Sequence, residues 1–168
     1  KGSLHGASGE GSGAAHLDPG ATTVVIAGDV DGDRGINSGR FTANGLIKGF
    51  TVGGNVLAGQ ANGSGSIVST ERLDRLTIVD SIIGGDLANT VTADLVGSGL
   101  VQAGSVGTLT VGSLRVGENY NALFDLVNNA AIRVQNNIVG LTVKGTIEGT
   151  DETPAVITPR GQAVFALD

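Results

Sequence analysis

Ile47-Lys48-Gly49-Phe50-Thr51-Val52 returns three more times along the chain, as Leu73-Asp74-Arg75-Leu76-Thr77-Ile78, Val106-Gly107-Thr108-Leu109-Thr110-Val111 and Ile138-Val139-Gly140-Leu141-Thr142-Val143. The threonines stand 26, 33 and 32 residues apart. Self-similarity at a period of ~20 to 50 residues marks a stacked architecture in which each copy contacts only its neighbours. Within each word the apolar residues flanking threonine alternate with it, which is the period of a strand with threonine pointing outward.

Working outward, the copies run approximately over residues 31–59, 60–89, 92–120 and 124–152. Copies three and four agree best: Ala93-Asp94-Leu95-Val96 aligns with Phe124-Asp125-Leu126-Val127, and Leu100-Val101-Gln102 with Ile132-Arg133-Val134. After each word comes a glycine-rich corner and a second apolar group, Val56-Leu57, Ile82-Ile83, Leu114 to Val116 or Thr146-Ile147. Such a unit offers an edge to each neighbour and closes no core alone. Stacking satisfies it, each strand pairing with its equivalent ~4.8 Å away. The expected fold is an all-β, right-handed parallel β-helix of four to five coils with ~30-residue repeats over residues 22–152, its hand following from the general crossover rule. A β-sandwich is the alternative: it explains the alternation but not the recurring register.

Composition agrees. Of 168 residues 29 are glycine, aromatics are 3%, and the apolar fraction is carried by Val, Ile, Leu and Ala, which suits short strands and tight turns. The 16 acidic residues outnumber 10 basic ones, and the basic residues are scattered singly, so no nucleic-acid footprint exists. There is no cysteine, hence no disulfide or thiolate metal site, and no apolar run of the length a membrane span needs. The absence of methionine and the acidic balance are read as those of an exported, processed chain.

The repeat resembles secreted β-helical repeat proteins of bacterial cell surfaces, including adhesin stalks. That resemblance implies an extracellular or cell-surface structural part, and it carries over no particular residue. A second, local resemblance lies in Asp29-Val30-Asp31-Gly32-Asp33-Arg34-Gly35-Ile36-Asn37, which is similar to the DxDxDG calcium loops of dockerins and integrin-type propeller repeats. It implies a Ca²⁺ site built from Asp29, Asp31, Asp33 and Asn37, since alternate carboxylates of a curling loop offer the hard oxygen ligands that Ca²⁺ takes. The loop departs from the pattern at Arg34, where glycine is displaced to Gly35, and at Arg40, which cannot act as a bidentate carboxylate. A solvated acidic turn is the other reading of this loop.

Residues 1–21 are rich in Gly, Ser and Ala and read as a flexible arm or linker, with His5 and His16 solvated. Residues 153–168 contain Pro154 and Pro159 and read as a C-terminal cap or assembly strand. The functional expectation is a non-enzymatic solenoid that associates with itself end to end into a surface filament, layer or stalk. The alternative is a polysaccharide-binding or polysaccharide-cleaving β-helix with surface glycans as partners. Its candidate acids are Asp74 beside Arg72 and Arg75, Asp80, and the corner acids Asp86, Glu118, Glu148 and Asp151. With both histidines in the leader, a Ser-His-Asp triad is excluded. The column Thr51, Thr77, Thr110 and Thr142 is a single file, which serves as a cross-strand ladder rather than an ice-ordering plane.

Overall fold

The computed structural model describes residues 2–159. It is a β-solenoid of about five turns, with parallel strands throughout and no helix among the described residues. Three strand columns form its faces. The long face stacks Ala21–Ile26, Ile47–Val52, the first part of Arg72–Ile83, the first part of Ser105–Arg115, and Ile138–Val143. A short face continues the same nine-stranded sheet through Leu4–His5, Val30–Asp31, Val56–Leu57, the ends of the two long strands, and Ile147–Glu148. The third face is a six-stranded sheet of Ala15–Leu17, Phe41–Ala43, Ile67–Ser69, Val101–Ala103, Ile132–Val134 and Ile157–Thr158.

The threonine word sets this register. Thr51 pairs with Thr77, Thr77 with Thr110 and Thr110 with Thr142, and Val25 continues the column on the preceding coil. The residues beside it face inward: Phe50, Leu76 and Leu109 are 1%, 0% and 1% exposed and lie in register. Burial of each such side chain is worth about 1.5–3 kcal/mol. At the third-face side the Phe41 ring packs tilted against Phe50, with centroids 4.6 Å apart.

The coils are not equal in length. Leu4, Val30, Val56 and Ile82 follow one another at 26 residues. Ile82, Leu114 and Ile147 then follow at 32 and 33. The added residues lie between the short face and the third face of the fourth and fifth coils, where an extra strand pair, Leu95–Val96 over Leu126–Val127, bulges from the shaft. From Ile132 to Ile157 the spacing falls back to 25.

Two expectations change. Residues 1–21 are not a free arm: Leu4–His5 pairs with Val30–Asp31 and Ala15–Leu17 with Phe41–Ala43, so this segment is the first coil. Its low apolar content is compensated by a continuous hydrogen-bond ladder onto the coil below. In the third face, Val101 rather than Leu100 stands over Ile132, a slip of one residue from the sequence alignment. Leu100 turns into the corner instead. Of the expected cap, residues 153–159 include Ile157–Thr158 of the last coil, and 160–168 lie outside the described residues.

Candidate functional site

The corner leading into the third face is built the same way five times. Gly11, Asn37, Gly63, Gly97 and Asn128 all have left-handed backbone, and so do Gly13, Gly39, Gly65, Gly99 and Ala130 two residues later. Between them stand Ser12, Ser38, Ser64, Ser98 and Asn129. Two left-handed residues separated by one turn the chain sharply and aim that middle side chain into the corner. The Ser38 and Ser64 hydroxyls accept the N–H groups of Asp33 and Gly59, five residues back, at 3.0 and 2.9 Å. In the widened fifth coil serine is too short. There Asn129 takes over: its Oδ1 accepts the Gly117 N–H, and its Nδ2 donates to Gly85 O and Ser98 Oγ. Every buried polar group of the corner thereby gains a partner.

Elsewhere, side chains at corners accept N–H groups from the following coil. Asp29 Oδ1 accepts from Asn55 N at 2.7 Å, Asn55 Oδ1 from Ser81 N at 3.0 Å, and Ser113 Oγ from Thr146 N at 3.1 Å. Asn62 does the same for Val96, Asp86 for Glu118 and Asp94 for Asp125. Where the strand ladder lapses, an acceptor side chain replaces the missing carbonyl.

This explains the acidic loop. Asp29 belongs to that column, Asp31 Oδ2 lies 2.7 Å from His5 Nδ1 on the coil above, the exposed Asp33 engages Ser38 through its backbone, and Asn37 accepts a bond from Arg40. The four side chains sent to Ca²⁺ by the loop resemblance are thus directed to different neighbours, and they do not fit a shared cation. Among the described residues no three His, Cys, Asp or Glu groups stand together where they could hold a metal ion. The loop's residues serve adjacent coils because it is a corner of a solenoid, not a free loop.

The proposed carboxylates are similarly dispersed. Asp74 is ion-paired with Arg72, and Asp86 stacks over Glu118 in a coil-to-coil bond. Glu118 and Asp151 line one shallow acidic recess with Asn119 and Thr150. His16 is exposed, with Nδ1 2.8 Å from Thr42 Oγ1 on the next coil.

Sequence reasoning passed over a furrow along the outside of the third-face corner. It has a volume of about 500 Å³ and crosses four coils, from Ile36, Asn37 and Arg40 through Asn62 and Val96 to Asn128. Arg40 is half-buried there; one of its guanidinium N–H groups donates to Asn37 Oδ1, while its Nε is buried without a hydrogen-bond partner. Burial lowers the Arg40 pKa from its usual value by desolvation. The signal that could have revealed this corner is the word Gly11-Ser12-Gly13, Asn37-Ser38-Gly39, Gly63-Ser64-Gly65, Gly97-Ser98-Gly99, which spans the leader as well as the repeats.

Comparison with protein-family models, with curated proteins and with solved structures returns no match.

Proposed function

We propose that this chain is a non-catalytic structural solenoid whose copies stack end to end, forming a filament or stalk outside the cell. The supporting observation is the state of its last coil. Leu141 and Ile147 continue the columns of Leu109 and Leu114, which are 1% and 0% exposed, yet are themselves 45% and 52% exposed. At the other end, the described residues place no strand beyond Ala21–Ile26 and Leu4–His5. Both ends carry the narrow coil, 26 residues at the first and 25 at the last, so the cross-sections match. A second copy in the same register would extend every column and satisfy unpaired edge groups, as an open strand edge invites. The acidic balance and the surface-protein resemblance of the repeat support the location.

Sedimentation velocity and electron microscopy over a concentration series test this reading. The native chain is expected to form linear multimers, and Leu141→Arg is expected to remain monomeric with an unchanged circular dichroism spectrum. A native chain that stays monomeric at millimolar concentration refutes it.

A further inference from the structure

We infer that the furrow crossed by Arg40, Asn62 and Asn128 is a binding site for a linear carboxylated polysaccharide. The inference stands apart from end-to-end stacking, because the furrow lies on the side of the shaft.

Three asparagines line it, and the oxygens of all three are already used. Asn37 Oδ1 accepts from Arg40, Asn62 Oδ1 accepts from the Val96 backbone N–H, and Asn128 Oδ1 accepts from Arg133 Nε. Since arginine and backbone N–H only donate, these assignments fix which end of each amide is engaged. What remains to each amide is its NH₂ group. Together with Arg40 they make a furrow rich in donors, and none of its described lining residues is acidic. On a chain of net charge -6 that is a local reversal of sign. A donor-rich site with a guanidinium whose Nε is unpartnered selects a ligand that accepts hydrogen bonds and carries negative charge, which a carboxylate does.

Spacing decides between a sugar chain and a peptide. The furrow's groups climb the shaft in steps of one coil, ~4.8 Å. An extended acidic peptide presents same-side carboxylates at twice its rise, ~6.6 Å, and falls out of step with them. A linear glycan advances by about one ring per coil and keeps pace. Ile36 and Val96, 51% and 39% exposed, give the apolar C–H edges of the rings a surface to lie on.

Asn62→Asp isolates the proposal from folding. Aspartate still accepts the Val96 N–H, as Asp94 accepts that of Asp125 and Asp86 that of Glu118, but it replaces the free NH₂ by a negative oxygen. Isothermal titration of the native chain, Arg40→Gln and Asn62→Asp is made with a uronate hexamer, with its carboxyl-reduced neutral counterpart, and with poly-glutamate. The expected result is binding of the uronate that weakens with salt, at least tenfold loss in each variant, and no heat with the neutral hexamer. Absence of uronate binding at millimolar ligand overturns the inference, as does an unchanged affinity in Asn62→Asp or tighter binding of poly-glutamate. Should Arg40→Gln unfold, Asn62→Asp alone decides. Repeating the titration on monomeric Leu141→Arg separates this site from stacking: uronate binding there is expected to equal that of the native chain, and its loss would place the site at the junction between copies instead.

Discussion

The carboxylate of Asp29 accepts the backbone N–H of Asn55 at 2.7 Å and so takes the place of a strand carbonyl at a corner where the ladder would otherwise lapse. The same column passes through Asn55 to Ser81, each side chain serving the coil after it.

Asp29→Ala is therefore expected to lower stability by about 1–3 kcal/mol, the cost of leaving a partly buried donor unmet, whereas Asp29→Asn retains the acceptor and most of the stability. Thermal melts of the three proteins measure this. Because the carboxylates of Asp29, Asp31 and Asp33 serve different partners, the midpoint is expected not to move between Ca²⁺ and a chelator. A Ca²⁺-dependent rise abolished in Asp29→Asn would reinstate the shared site.

Gly39 and Gly49 form a matched pair for the corner argument. A Cβ on Gly39, at φ 57°, would stand 1.9 Å from the carbonyl oxygen of Asp31; one on Gly49 would stand 3.8 Å from that of Thr22. Gly39→Ala is expected to cost at least ~2 kcal/mol through left-handed strain and collision, and Gly49→Ala less than ~0.5 kcal/mol. Denaturant midpoints with equal slopes check the difference.

Asn129 carries three bonds inside the widened coil, to Gly117 N, Gly85 O and Ser98 Oγ. Asn129→Ala strands buried backbone groups and is expected to cost about 1–3 kcal/mol. Hydrogen exchange should show the Gly117 amide among those that lose most protection.

Leu76 and Leu141 occupy the same column, buried in the third coil and 45% exposed in the fifth. Leu76→Ala is expected to cost about 2–5 kcal/mol, and Leu141→Ala less than half as much in dilute solution. If copies stack, the two values converge as concentration rises, which melts at low and high concentration would reveal.

The threonine word made the long face legible, because strand pairing in a solenoid repeats side chains in place: Phe50, Leu76 and Leu109 are set over one another as their spacing implies. What misled the reading was composition. The leader holds only Leu4 and Leu17 as large apolar residues, so it looked too poor to fold. Order there comes from backbone bonds and from the Gly11-Ser12-Gly13 corner, which hydrophobic periodicity does not register. The one-residue slip at Leu100 has a similar origin: an apolar residue at a corner reads like one on a strand. Asp29 was misassigned because a spaced run of carboxylates has the same appearance whether it curls around an ion or distributes itself between coils. The furrow escaped notice because its donors are neutral amides, whose significance depends on which oxygens are already engaged.

The widening of the fourth and fifth coils, set between narrow coils on either side, has a consequence for any assembled rod. Five coils at ~4.8 Å give a subunit length of about 24 Å. The flank carrying Leu95–Val96 and Leu126–Val127 would then recur as a knob at that interval, like graduations on a rule, while the shaft between stayed uniform. Neighbouring rods would meet knob against shaft, and their lateral spacing would be fixed by eight or so inserted residues rather than by the core that holds each rod together.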